Sequence, residues 1–263
     1  MNTKKVEEYI IQWLIDYKNQ NKINGYVVGI SGGVDSAVTS TLCAKTGLQT
    51  LCLDIPIRQN LSQHSRAKNH IKWLKEKFGN WIYSDQIDLS SVFKEFENIT
   101  SDEKTDYLKA HALANSRARL RMTTLYYFAS LNNYIVVGTG NKVEDFGIGF
   151  FTKYGDGGVD ISPIADLTKS EVYQLAEYLK IDQEIINAKP TDGLWEDNRT
   201  DEEQIGASYN EIEWAMKQKS LGKTPKDFKG RENEVFKIFE KHNRNNQHKM
   251  KSIPVCIIPD KLK

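Results

Sequence analysis

Val6, Tyr9, Ile10, Trp13, Leu14 and Tyr17 recur at helical spacing, with Glu7, Gln12 and Asp16 between them, and predict an amphipathic N-terminal helix. The period then changes. Residues 25–30 form a nearly continuous apolar run that reads as a buried strand, residues 31–36 as a turn and residues 37–45 as a helix ending near Gly47. A second strand follows at 48–55, and a helix at 62–78 carries Ala67, Ile71, Trp73, Leu74 and Phe78. Residues 81–83 are a short strand candidate. A long helix without Gly or Pro is predicted over about 107–131, and Ile135, Val136 and Val137 form the next strand, ending at Gly138. Strands alternating with helices predict an α/β fold, a twisted parallel sheet with helices on both faces.

Beyond Gly138 the pattern loosens. Residues 147–166 are glycine-rich and poor in helix signals. Thr168-Lys169-Ser170-Glu171 has capping-box spacing and starts a helix through Leu179. Residues 189–201, with Pro190 and Gly193, read as a loop. Thr200-Asp201-Glu202-Glu203 is a second capping box, opening a helical C-terminal extension. About residues 245–263, with Pro254 and Pro259, read as an extended tail on what is otherwise one domain of 263 residues.

Charge and thiols change the picture only by exclusion. Thirty-six basic and 35 acidic side chains leave a formal charge of +1, which argues against a surface for long nucleic acid or an anionic membrane. No run approaches the ~18 apolar residues of a membrane span, and the N-terminus lacks signal-peptide character. The three cysteines, Cys43, Cys52 and Cys256, have no metal-finger or redox spacing, so they are expected to be buried or partly buried thiols in a cytoplasmic protein.

Candidate chemistry concentrates at the turn after the first strand: Gly29, Ile30, Ser31, Gly32, Gly33, Val34, Asp35 and Ser36. Glycines let backbone N–H groups converge on one concavity, Ser31 and Ser36 add hydroxyls, and the following helix adds the positive end of its dipole. A polyphosphate is the guest this loop suits. Asp35 would sit badly beside phosphate without a cation between them, so it is read as a magnesium ligand. The loop is not a Walker A motif: Gly222-Lys223-Thr224 imitates its end, but Lys217 stands where the first glycine belongs. Nor is it a dinucleotide fingerprint, since Val143 occupies the third glycine position after Gly138 and Gly140.

The Ser31-Gly32-Gly33-Val34-Asp35-Ser36 run resembles the pyrophosphate loop of the N-type ATP pyrophosphatases, whose members adenylate an oxygen and let a nucleophile displace AMP. Within that superfamily, the segment from Phe150 through Lys153, Asp156 and Asp160 to Ile164, followed by Leu167-Thr168-Lys169, resembles the ammonia-dependent NAD synthetases. Residues 53–59, 115–122, 138–141, 189–195, 201–209 and His248-Lys249 fall in the same family order. The resemblance spans roughly residues 5–255 and implies an adenine nucleotide alpha hydrolase-like, Rossmann-like fold.

It also implies an activity. ATP with Mg2+ would adenylate the carboxylate of deamido-NAD, and ammonia would displace AMP to give NAD. On that resemblance residues 29–36, Thr139, Lys169 and Thr191 contact ATP. Arg119, Lys153, Asp160, His248 and Lys249 contact deamido-NAD, and Asp35 and Glu144 hold Mg2+. Asp35, Lys153, Asp156 and Lys169 form the catalytic set. A homodimer and free ammonia as direct donor are expected as well. Local sequence leaves several of these open: Lys169 also reads as a solvated surface lysine, and His248 as a routine histidine. Arg119 is one of three alternating arginines, with Arg117 and Arg121, that cannot all share one helix face.

One departure from the family pattern matters. Between Thr139 and Lys153 the chain carries one extra residue. Counting forward from Thr139 gives Glu144 as the second metal ligand, and counting back from Lys153 gives Asp145. Glu144 is preferred, with the extra residue expected within 146–149. Asp156, between Gly155 and Gly157, is read either as the group that attracts ammonium and removes its proton or as a turn aspartate bonded to its own backbone. Two rivals to this activity are a tRNA-modifying thiolase or lysidine synthetase, and a non-catalytic nucleotide sensor. The missing cysteine pairs and basic excess weigh against the first, and the retained Asp35, acidic 144–145 pair and Lys153 against the second.

Overall fold

The computed structural model describes residues 1–58, 61–100, 106–191 and 199–263. The chain opens with α1 (Thr3–Asn21), whose Asn2 side chain caps the Lys5 N–H, and enters the sheet at β1 (Gly25–Gly29). Then come α2 (Val34–Lys45), β2 (Gln49–Asp54), α3 (Leu61–Phe78), β3 (Ile82–Gln86), α4 (Ser90–Ile99), α5 (Asp106–Asn132) and β4 (Tyr134–Val136). The four strands are parallel in the order β3-β2-β1-β4, and Val137 adds a parallel bridge to Ile161 beyond β4.

Side-chain alternation in the strands separates two cores. Tyr26, Val28 and Cys52 point into a cluster with α1, α2, α3 and α6 (Lys169–Leu179). Val27, Leu51, Leu53 and Val136 point the other way, where Leu125, Phe128 and Ala129 of α5 cover them. Both faces of the sheet are therefore dry, as a parallel α/β sheet requires. Leu125 and Phe128 are thus tied to this core, while α5 leaves Tyr107, Leu108, Tyr127 and Leu131 exposed.

After a short α7 (Gln183–Ile186), a third cluster joins α8 (Asp201–Ile205), α9 (Tyr209–Ser220) and α10 (Gly230–Asn245) through Ile205, Ile212, Val235, Phe236 and Phe239, with Val143 and Ile148 inserted into it. Both anticipated capping boxes form, Thr168 with Glu171 and Thr200 with Glu203. A third, Ser208 with Glu211, starts α9.

Several details differ from the sequence reading. The turn after β1 is shorter, because α2 begins at Val34 with Gly33 as its N-cap; this puts Asp35 and Ser36 inside the first helical turn. Polar Ser84, Asp85 and Gln86 extend β3 by backbone pairing with β2 at the sheet edge. α4 was not legible as a helix, and only Phe93 of its side chains is buried. A helical turn, α11 (Gln247–Met250), interrupts the region expected to be extended. Cys43 and Cys52 are buried free thiols, but Cys256 is exposed, as are Ile253, Val255 and Ile257 around it, because the tail lies at the surface. Among the described residues no helix is long and apolar enough to cross a membrane.

Candidate active site

The site lies at the C-terminal ends of β1 and β4, where an open parallel sheet places its crevice. The loop leaving β1 is tied by its own hydroxyls. The Ser31 N–H donates to Ser36 Oγ at 3.3 Å, the Gly33 N–H to Ser31 Oγ at 3.2 Å, and Ser36 Oγ to the Gly33 carbonyl at 2.9 Å. Gly32 holds φ +81°, and its Cα faces the Gln63 carbonyl of α3 so closely that a methyl group there would overlap it. Only glycine meets both conditions.

Asp35, from the first turn of α2, reaches across the cleft mouth. Lys169 Nζ lies 2.6 Å from Asp35 Oδ2 and 2.9 Å from Glu144 Oε1. Lys169 is only 3 % exposed, which removes its reading as a solvated surface lysine. It stands at the start of α6, where a helix dipole disfavours a cation, so the two carboxylates are what hold it there. Burial works against the ammonium, and the charges of Asp35 and Glu144 outweigh it, so its proton is held more tightly than in water. Burial raises the Asp35 carboxyl against the pull of Lys169. Burial also opposes ionisation of Glu144, but Lys169 and the Tyr209 hydroxyl more than offset it and keep Glu144 ionised.

Two residues without an assigned role frame this pair. Asn141, fully buried, donates from Nδ2 to Asp35 Oδ1 at 3.0 Å, and its Oδ1 accepts the N–H groups of Val143 and Glu144, each at 3.1 Å. One amide thereby fixes Asp35 and the backbone of Glu144 together. Tyr209 places its hydroxyl 2.6 Å from Glu144 Oε1 and 3.1 Å from Asp201 Oδ2, with its ring 4.8 Å from the Lys169 ammonium. Burial, then the carboxylates of Glu144 and Asp201, holds the phenol firmly protonated. Asn141 and Tyr209 lie in segments that fit the family order, but nothing local in the sequence marks either as a partner of Glu144.

The segment that carries Glu144 and Asp145 is a π-helical turn, Val143–Ile148, ending on Gly149 in a left-handed conformation. It separates the two adjacent acids: Glu144 faces Lys169, while the Asp145 carboxylate lies against Gly140, where a methyl group would displace it. The carbonyls at the turn's end and just beyond it are capped from α10, α11 and the Asn246 between them. Asn243 donates to Gly147 O at 2.7 Å, Asn246 to Ile148 O at 2.8 Å, and Lys249 to Gly149 O and Phe151 O, each at 2.7 Å.

Burial, then the like charges of Glu144, Asp156 and Asp35, pushes the Asp145 carboxyl up to about 8. The folded chain therefore holds this proton more tightly than the unfolded chain. The cost to stability is absent below the ordinary value of about 4 and grows as pH rises to about 8. Asp145→Asn is expected to raise stability by about 2 kcal/mol at pH 8 and to leave it unchanged at pH 4. Thermal melting of the nucleotide-free protein at both pH values checks this, and an equal Tm change at the two would contradict it.

Of the other anticipated ATP contacts, Thr139 and Thr191 line the same cleft as residues 29–31 and 33–36. Thr191 also donates to the Arg199 carbonyl at 3.0 Å. Asp156 lines it too and accepts the Thr152 N–H at 2.9 Å. Its side chain is open to cleft water, yet the protein crowding it raises its carboxyl toward about 6, a push the water moderates. The turn bond and the cleft position thus coexist.

The anticipated dinucleotide residues lie outside the cleft lining. Arg119 donates to the Lys153 carbonyl at 3.3 Å, and Lys153 Nζ to the His248 carbonyl at 2.6 Å. Lys249 caps the π-turn, and Asp160 stands apart, accepting from Tyr126 OH and the Val136 N–H. The three alternating arginines diverge: Arg117 over the Phe93 ring, Arg119 to Lys153, Arg121 to the Ile55 carbonyl.

The donor set fits magnesium. Asp35 and Glu144 are hard oxygen ligands converging on one cation position. Among the described residues no group of three or more His, Cys, Asp or Glu could hold a metal alone, so the remaining ligands would be substrate oxygens and water.

A glycine loop at a strand–helix junction, facing a carboxylate pair and a buried lysine, defines a nucleotide-dependent α/β enzyme. Comparison with known proteins agrees: the NAD synthase family model matches residues 6–253. The NH(3)-dependent NAD(+) synthetase of Carboxydothermus hydrogenoformans is 41% identical over 217 residues, covering 81% of this chain and 85% of the relative. That of Archaeoglobus fulgidus is 35% identical over 263 residues and the whole of both chains. Among solved structures, NMN synthetase from Francisella tularensis has a TM-score of 0.83 at 31% identity, covering 99% of each chain. The NH3-dependent NAD synthetase of Campylobacter jejuni has a TM-score of 0.77 at 25% identity, covering 98% of this chain and 100% of that one. The chain belongs to the NAD synthase family.

Proposed function

We propose that this protein is the ammonia-dependent ligase that converts deamido-NAD to NAD with ATP, releasing AMP and pyrophosphate. The observation that carries the reading is full-length similarity to ammonia-dependent NAD synthetases, joined to the Asp35–Lys169–Glu144 cluster beside the glycine loop. A carboxylate has no leaving group, and adenylation supplies one. A carboxylate oxygen attacks the α-phosphorus, and the α–β phosphoanhydride bond breaks to free pyrophosphate. Ammonia nitrogen then attacks the acyl carbon, loses a proton, and AMP departs.

In this reading residues 29–36, Thr139 and Thr191 bind ATP, and Lys169 turns from the carboxylates toward the phosphates. Asp35 and Glu144 hold Mg2+, which supplies positive charge against the phosphate oxygens. Arg119, Lys153, Asp160, His248 and Lys249 receive the dinucleotide, with Lys153 at the reacting end. Asp156 takes the ammonium proton. A cytoplasmic homodimer completes the proposal, supported by the exposed apolar side chains of α5.

NAD and AMP formation from deamido-NAD, ATP, Mg2+ and ammonium, with glutamine replacing ammonium in one arm and tRNA replacing deamido-NAD in another, tests it. Folded protein that forms no NAD sinks the reading. Similarity to the Francisella NMN synthetase over 99% of both chains favours a second reading, amidation of the nicotinate mononucleotide, and kcat/KM for the two acceptors decides between them. Asp156→Asn is expected to raise the ammonia requirement about tenfold or more. An unchanged dependence of rate on ammonium concentration would remove Asp156 from the mechanism.

A further inference from the structure

Lys169, the buried cation of the cleft, is already engaged by two carboxylates, and the hydroxyls of Ser31 and Ser36 are engaged by the loop itself. A triphosphate entering here needs another positive group at the loop. The α3 side of the loop supplies one. α3 runs along the loop, with the Gln63 carbonyl against Gly32 and, one turn on, Arg66 donating from Nε to the Gly32 carbonyl at 3.1 Å. Both side chains line the cleft. Among the described residues Arg66 has no carboxylate partner, so its terminal N–H groups are uncommitted.

Gln63, one turn before Arg66, carries an unmet acceptor. Its side chain is 8 % exposed, and its Oε1 is buried without a donor. Buried polar atoms in folded proteins are rarely left so. A polyphosphate offers its oxygens to the uncommitted guanidinium.

We propose that Arg66 is a binding residue for the pyrophosphate half of ATP, held in place by its Nε bond to the loop it serves. The planar guanidinium suits this better than an ammonium would: one N–H fixes its plane, and the outer pair addresses two phosphate oxygens together. Arg66 therefore also binds the leaving pyrophosphate. The proposal rests on the adenylating reading of the site, but pyrophosphate binding can be measured without turnover.

Titration calorimetry of inorganic pyrophosphate against wild type, Arg66→Gln and Arg66→Lys gives the direct test, alongside KM for ATP and for deamido-NAD. Arg66→Gln is expected to weaken pyrophosphate about tenfold or more and raise the ATP KM to match. The deamido-NAD KM should stay within about twofold, and Arg66→Lys should recover part of the loss. Should Arg66→Gln fail to fold, Arg66→Lys still reports, since loss of the fork alone should weaken pyrophosphate measurably. Equal pyrophosphate affinity in folded variants and wild type overturns the proposal, as does wild type that binds no pyrophosphate. A change confined to thermal stability and kcat would also overturn it, marking Arg66 as a loop clamp only. Wild type that forms no NAD but binds pyrophosphate through Arg66 would sink the functional reading and leave this one standing.

Discussion

Replacing Lys169 by alanine is expected to lower kcat about a thousandfold or more and to destabilise the fold by about 3 kcal/mol. The activity loss follows from removing the charge nearest both the carboxylate pair and the phosphate path. The stability loss follows from stranding Asp35 and Glu144 together; at 17 % and 16 % exposure they keep some water, which places the cost at the lower end for a broken buried pair. The pH dependence has a definite sign. Because the folded value of Lys169 is raised, its contribution is complete below the ordinary lysine value and is lost only at higher, strongly alkaline pH. Glu144, held below its ordinary value, contributes above about pH 4 and loses that contribution as pH falls. The Tm gap between wild type and variant should therefore be wide at neutral pH and narrow below pH 4. Adding Glu144→Gln to Lys169→Ala should recover stability but not turnover, and a double variant as unstable as the single one would refute the stranded-charge account.

Gly32→Ala is expected to weaken ATP binding and the fold severely while Gly33→Ala leaves both largely intact, although the two positions are adjacent. At Gly32 the new methyl meets a backbone carbonyl of α3 and a positive φ, so the loop itself must move. We expect a stability loss of about 2–4 kcal/mol and an ATP KM raised about a hundredfold or more. At Gly33, φ is −96° and the added methyl would meet only Ser31 Oγ, at 3.4 Å. Its stability change should stay within about 1 kcal/mol. Denaturant melts and ATP titrations of both variants check the contrast, and equal losses would show that loop rigidity rather than the α3 contact sets the effect.

What the sequence made legible was what short-range rules govern. The apolar run into β1, the glycines after it and the boxes at Thr168 and Thr200 each depend on residues within about four positions. The α/β alternation followed from them, and the NAD synthase family from the motifs strung along it. Long-range pairing was not legible. Lys169 finds Asp35 across 134 positions, and Tyr209 finds Glu144 across 65. A lysine following a cap residue carries no mark of either fate. The π-turn at Val143–Ile148 was not legible either: such a turn has no propensity signature, and Val143 and Ile148 entering the C-terminal cluster explain it. Arg66 and Gln63 lie on a helix correctly predicted, but which of its faces meets the loop depends on the crossing of α3 over the sheet.

The side chains that cap the π-turn set an order in time. Lys249 reaches back 100 positions to Gly149, and Asn246 reaches 98 to Ile148. During synthesis the glycine loop, β4 and the acidic turn all leave the ribosome before the residues that cap that turn exist. At about 5–20 residues per second, the segment bearing Glu144 waits roughly 5–20 s for its caps. The carboxylate pair is therefore among the last parts of the molecule to be set, and a nascent chain can hold a finished sheet before it has a finished cleft.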